Sequence, residues 1–161
     1  MANRSSYAKL ALIDLGQVKQ DFVWYAVVTQ FNHEESFARN VVEGASGTFL
    51  QNYIQQCYIP IKYAKEKVVQ KDGTVKDKIH KVKGCYSNYV FVKCIMNSEV
   101  WNFLRTRSEA AVILSTGGYP TEISPEEIEK IYEQQAPEGF DKEERAEIMK
   151  KVDFAIQGAV N

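Results

Sequence analysis

Histidine and cysteine, the usual material of metal sites and nucleophilic dyads, are scarce in this sequence. Only His33 and His80 occur in 161 residues. One opens a helix and the other lies among lysines, which supports neither a metal cluster nor a Ser-His-Asp set. Cys57, Cys85 and Cys94 are odd in number and show no CxxC spacing, so neither a disulfide framework nor a zinc site is indicated. There is no Walker loop and no GxGxxG, and Gly117-Gly118 reads as a turn. The paired acids Glu126-Glu127 and Glu143-Glu144 fall on helix surfaces, where adjacent side chains point apart. The expectation is therefore a binding protein and not an enzyme, with no cofactor and no metal. No stretch approaches the roughly 18 apolar residues of a membrane span. The ALIDL segment near the start is broken by charge and is followed by no small-residue cleavage site. A cytoplasmic protein in a reducing setting, with no membrane partner, is expected.

An excess of one charge is also missing: the formal net charge is −1, and it predicts neither a nucleic-acid nor a membrane partner. The distribution says more. Residues 62–83 hold eight lysines against Glu66, Asp72 and Asp77, a local +5, while residues 122–153 hold eleven acids against five bases, a local −6. The molecule should thus carry one basic prominence and one acidic end. The hydrophobic share of 45% and charged share of 25% are those of a soluble globular chain, long enough for one domain plus tails.

The most informative run is KGCYSNYVFVKCIMNSEVWNFL, Lys83 to Leu104. From Tyr89 to Met96 every even position is apolar, which predicts a strand with Val90, Val92, Cys94 and Met96 facing the core. The odd face carries Tyr89, Phe91 and Lys93. Either a partner uses those aromatics or another part of the chain covers them. Asn88 suits the left-handed conformation of a tight entry turn. Asn97 or Ser98 can cap a helix bearing Val100, Trp101 and Leu104.

The other elements fall around this strand. Phe22 to Phe31 is apolar almost throughout and predicts a central strand. Asn32 with Glu35 resembles a capping box ahead of a helix that carries Phe37, Val41 and Val42. Phe49 to Ile54 predicts a further helical turn, and Cys57 to Pro60 a second strand. Asp72-Gly73 predicts a hairpin between lysine-bearing strands. Ala110 to Leu114 is a fourth strand. Ser124-Pro125-Glu126-Glu127 opens a last helix with an N-cap serine, proline at the first position and glutamate at the third. This order gives an α+β fold, a ferredoxin-like βαββαβ sandwich with an inserted basic β-hairpin and an added C-terminal helix. An enzyme of the acylphosphatase kind would need an anion-cradling loop after the first strand, which Gln30-Phe31-Asn32-His33 does not resemble.

The central run resembles the core motif of the N-terminal (NGN) domain of the NusG transcription factors, in which a Phe-Pro-Gly-Tyr turn feeds a strand and then a tryptophan-bearing helix. Here the turn reads Tyr86-Ser87-Asn88-Tyr89. The opening Trp24-Tyr25 with Val27-Val28-Thr29, the apolar run ending at Pro60 and the Pro-Glu-Glu helix entry are similar to the same family. So is Glu34 at the first helix start. The resemblance covers residues 22–136. It implies an N-terminal arm over 1–21, an NGN domain over 22–136 and a charged linker or tail over 137–161, with the family's KOW barrel absent from these residues.

The resemblance also implies a transcription elongation factor that binds RNA polymerase over its main channel and modulates elongation, pausing or antitermination. Its partners would be the polymerase β′ clamp helices and β subunit. Contact with a ribosomal protein or termination factor would run only through a KOW domain. By position, Tyr86, Ser87, Asn88, Tyr89 and Phe91, with Val28 and Ile113, match the polymerase-binding patch. Arg105, Thr106 and Arg107 match a segment facing upstream-fork and non-template DNA, where two guanidiniums flanking a hydroxyl suit phosphate. Lys76, Lys78, Lys81 and Lys83 of the hairpin are either a finger along a phosphate backbone or charges that guard a sheet edge. The alternative is a single-stranded RNA-binding domain like an RNA-recognition motif, because Lys83-Gly84 and aromatics two apart are similar to that fold's third strand.

Overall fold

The run after Asp21 forms the central strand because it is β-branched and aromatic with no polar face. In the computed structural model, which describes residues 21–82, 86–135 and 140–156, this is β1 (Val23–Thr29). Helix α1 (Glu34–Ala45) follows, then a 3-10 turn (Phe49–Asn52) and β2 (Ile54–Tyr58). Two long strands, β3 (Lys62–Val69) and β4 (Val75–Val82), form a separate ribbon. Next come β5 (Tyr89–Cys94), α2 (Ser98–Arg105) and β6 (Ala110–Ile113). The short pieces β7 (Ser115–Thr116), β8 (Tyr119–Pro120) and β9 (Glu122–Ile123) lead to α3 (Pro125–Gln135). Helix α4 (Lys142–Val152) and β10 (Asp153–Ala155) close the described chain.

The main sheet runs β10-β2-β5-β1-β6, with β9 also on β1, and every pairing is antiparallel. Without β9 and β10 this is the ferredoxin-like order, as the sequence predicted. Directly opposed residues share a face, so the β1–β5 register sorts the side chains. Tyr25 and Val27 stand beside Val92 and Val90 on one face, while Trp24, Ala26 and Val28 stand beside Lys93, Phe91 and Tyr89 on the other. The first face is the fully buried core, closed by Phe37, Ala38 and Val41 of α1 and by Val100 and Leu104 of α2. Cys57 and Cys94 lie there as free, buried thiols, and desolvation pushes both pKa values far up, so they act as small apolar residues. Gly44 allows α1 to pass close to α2, since a Cβ there would stand 3.1 Å from the Phe103 ring.

Local signals hold with small shifts. The Ser124 hydroxyl accepts from the Glu127 amide at 3.2 Å, and Asn97 caps α2 through the Val100 amide at 2.8 Å. Helix α1 begins one residue later than the capping-box reading, at Glu34 after His33, which makes no side-chain cap. Asn32 instead takes φ 61°, a left-handed turn between strand and helix. The predicted second strand starts earlier, at Ile54.

The charged tail expected over 137–161 is something else across 140–156. Asp141 and Glu144 form a true capping box that starts α4, and Phe140, Ile148, Val152 and Ile156 are buried. Strand β10 pairs with β2, Phe154 opposite Cys57, and Gln56 donates to the Asp153 carboxylate at 2.7 Å. The Ile59 amide donates to the Val152 carbonyl at 2.8 Å. Four apolar residues spread through a charged stretch, with the edge of β2 and the Lys65–Glu144 pair, bring it onto the sheet. The expected arm over 1–21 lies outside the described residues apart from Asp21. No helix among the described residues is long and apolar enough to cross a membrane.

Candidate docking surface and nucleic-acid contacts

The second face of the sheet is covered unevenly, and the gap in its cover is the candidate site. At the β2 side α3 seals it: Tyr132 stacks on Tyr58 at 4.1 Å between ring centroids, and the Gln135 side chain donates to the Ile59 carbonyl at 3.3 Å. Burial pushes both phenols above their usual range. Toward β6 the cover stops. An open hollow of about 400 Å³ lies there, lined by Ala26 and Phe91, by Tyr86 and Tyr89 from the β5 side, by Leu114 from the β6 side, and by Ile123, Glu127 and Ile131 among others.

The turn that feeds β5 sets the rim of this hollow. Asn88 takes φ 71°, in the left-handed region, as its residue type allowed. The Tyr89 amide donates to the Tyr86 carbonyl at 3.1 Å, and the Asn88 carbonyl accepts from both the amide and the hydroxyl of Thr29, at 2.7 and 3.2 Å. The two tyrosine rings are 6.3 Å apart and half-buried, so each keeps one side toward solvent.

Two members of the expected patch are placed differently. Phe91 is only 3% exposed, packed between Tyr58 at 6.4 Å and the edge of Tyr86 at 6.0 Å, so it supports the surface from beneath. Ile113 is opposed to Val27, which puts it on the helix-covered core face, 3% exposed, and takes it out of the patch. Its neighbour Val112 is opposed to Val28 instead and is 56% exposed. With Leu114 and Tyr119, Val112 extends the apolar surface along β6. Strand parity would have found Val112, but the register of β6 against β1 is not written in either strand alone. Ser87 and Asn88 face a separate hollow of about 270 Å³ at the base of the ribbon, with Phe31, Ile61 and Lys81.

The Arg105-Thr106-Arg107 group is explained largely by its own helix. The Thr106 hydroxyl donates to the Asn102 carbonyl at 2.7 Å, and Arg107 Nε donates to the Phe103 carbonyl at 3.0 Å while its guanidinium lies 4.3 Å from the Phe103 ring centre. Arg105 is exposed and reaches Asn102 at 3.4 Å. Lys76, Lys78 and Lys81 are all exposed, but the ribbon register splits them: Lys76 and Lys78 share a face with each other and not with Lys81. Lys83 lies outside the described residues. Among the described residues no group of three or more His, Cys, Asp or Glu side chains could hold a metal ion.

Comparison with known proteins bears on the family and the fold. Residues 22–132 match the family model described as NusG, transcription termination factor nusG. A solved structure described as domain interaction in Thermotoga maritima NusG is similar at 26% identity and a TM-score of 0.54, over 75% of this chain and 61% of that one. The chain thus spans about three-fifths of that relative's length. A search of curated proteins finds no match.

Proposed function

This chain belongs to the NusG family of transcription factors, and from that premise we propose that it binds RNA polymerase through the open part of the second sheet face. The observation that carries the reading is the hollow itself, walled by half-buried tyrosines over a sealed Phe91 floor. Aromatics held on a rigid strand, partly desolvated and ringed by apolar side chains, are what an interface hot spot requires. An apolar helical tip, such as that of the β′ clamp helices, would be its occupant, with Tyr86, Tyr89, Val28, Val112 and Leu114 as contacts. Bound there, the chain would modulate elongation, pausing or antitermination, in the cytoplasm where the polymerase works. Arg105, with Thr106 and Arg107 behind it, and one face of the basic ribbon would lie toward upstream DNA.

Pull-down of core polymerase tests the patch. Tyr86→Ala with Tyr89→Ala should leave the circular dichroism spectrum intact and abolish capture. Undiminished capture by the folded double variant sinks the assignment. The single-stranded RNA reading needs Phe91 as a stacking platform, and a ring 3% exposed offers none.

A further inference from the structure

The basic ribbon and the acidic end, far apart in sequence, meet in space. One face of the ribbon carries Tyr63, Lys65 and Lys67 opposite Lys81, Ile79 and Asp77; the other carries Lys62, Glu66 and Val68 opposite Val82, Lys78 and Lys76. Helix α4 lies against the first. Lys65 Nζ bonds Glu144 at 2.8 Å, lies 3.9 Å from Asp77 and sits 5.8 Å from the Phe140 ring centre. A groove of about 440 Å³ between the two is lined by Tyr63, Ile79 and Lys81 from the ribbon and by Glu143, Glu144, Glu147 and Lys151 from α4, where Glu147 also pairs with Lys150 at 3.2 Å. On the opposite face Lys62, Lys76 and Lys78 make no ion pair among the described residues.

We propose that α4 makes the ribbon a one-sided nucleic-acid contact, in which backbone phosphates meet Lys62, Lys76 and Lys78 while the α4 glutamates occupy the other face as a fixed anionic substitute. This rests on the reading of the ribbon as a nucleic-acid contact and adds which face is used and what reserves it. Lys62 and Lys76 stand six residues apart along the ribbon axis, because Lys76 opposes Val68. That is ~20 Å at ~3.4 Å per residue. The same length covers about six base steps of a duplex at ~3.4 Å each. Three exposed lysines over that span can meet a run of phosphates, and neutralising the opposite face removes a second, competing register.

Salt dependence of DNA binding by the whole chain tests this, with a mixed-sequence duplex and its single strand as probes. Lys62→Ser, Lys76→Ser and Lys78→Ser together should flatten the slope of log affinity against log salt by about 2.7 on duplex and about 2 on single strand. Lys67→Ser with Lys81→Ser should leave both slopes unchanged. Glu143→Gln, which spares both the Lys65–Glu144 tether and the Lys150–Glu147 pair, should steepen the slope, and the added part should vanish when Lys81→Ser is combined with it. Equal losses from the two lysine sets would overturn one-sidedness and keep the ribbon as a DNA contact. No slope change in any lysine set would overturn both. An unchanged slope in the glutamine variant would remove α4 from the account.

Discussion

Phe91 and Tyr89 lie two residues apart on one face of β5, yet the structure assigns them opposite consequences when truncated. Phe91 is 3% exposed and touches Tyr58 and Tyr86, so Phe91→Ala opens a cavity in a packed layer. Such changes cost about 3–5 kcal/mol. At about 2–4 °C per kcal/mol for a chain of this size, the midpoint of thermal unfolding should fall by roughly 6–20 °C. Tyr89 is half-buried on the rim, and its truncation should cost the fold about 1 kcal/mol. As a hot-spot ring it should cost binding at least ~2 kcal/mol, about a 30-fold rise in Kd for core polymerase. Phe91→Leu supplies the folded control: it keeps an apolar floor and should lower stability by about 1–2 kcal/mol with little change in Kd. The assay is a polymerase titration by fluorescence anisotropy beside calorimetric melting of each variant. If Tyr89→Ala binds within twofold of the parent, the docking surface lies elsewhere. If Phe91→Leu weakens binding as much as Tyr89→Ala, the division into floor and rim is wrong.

The edge strand β10 should respond to pH through Asp153. Burial raises the pKa of this carboxyl, with the Gln56 hydrogen bond pulling the other way. A raised folded value means the group's contribution to stability is complete below the ordinary carboxylate range and is lost as pH rises through the folded value. Asp153→Asn should therefore raise the melting midpoint at pH 7 and leave it unchanged near pH 3, and a lower midpoint at pH 7 would refute this. At the β5 entry, Asn88→Gly should be neutral and Asn88→Ala should cost about 1–2 kcal/mol, because φ 71° puts a non-polar Cβ against the following carbonyl. Equal denaturant midpoints for the two variants would contradict the geometry.

The parts of this fold legible in sequence were those with a local cause. Val90, Val92 and Cys94 are fully buried because alternation puts a strand's residues on one face, and Ser124 and Asn97 cap because their oxygens reach the third amide onward. What stayed hidden depends on pairing. Ile113 and Val112 read alike until β6 is set against β1, and one position of register decides which meets solvent. The docking of 140–156 stayed hidden for a different reason. Its apolar residues are sparse, and only the free edge of β2 and the cation at Lys65 make them sufficient.

The turn before β5 departs in three of its four residues from the Phe-Pro-Gly-Tyr pattern it resembles. A Phe-Pro-Gly-Tyr turn relies on proline to fix one dihedral and on glycine to enter the left-handed region. Tyr86-Ser87-Asn88-Tyr89 has no proline, so its shape must be held by bonds. The Tyr86–Tyr89 hydrogen bond closes the turn, and the doubled contact of Thr29 with the Asn88 carbonyl ties it to the end of β1. Asparagine supplies the positive φ at a modest cost, and an aromatic remains at each end. The turn is therefore anchored from the sheet side, which leaves the outer sides of both tyrosines uncommitted. A turn tied in this way would favour docking, because a preformed site loses less entropy than one that must be ordered.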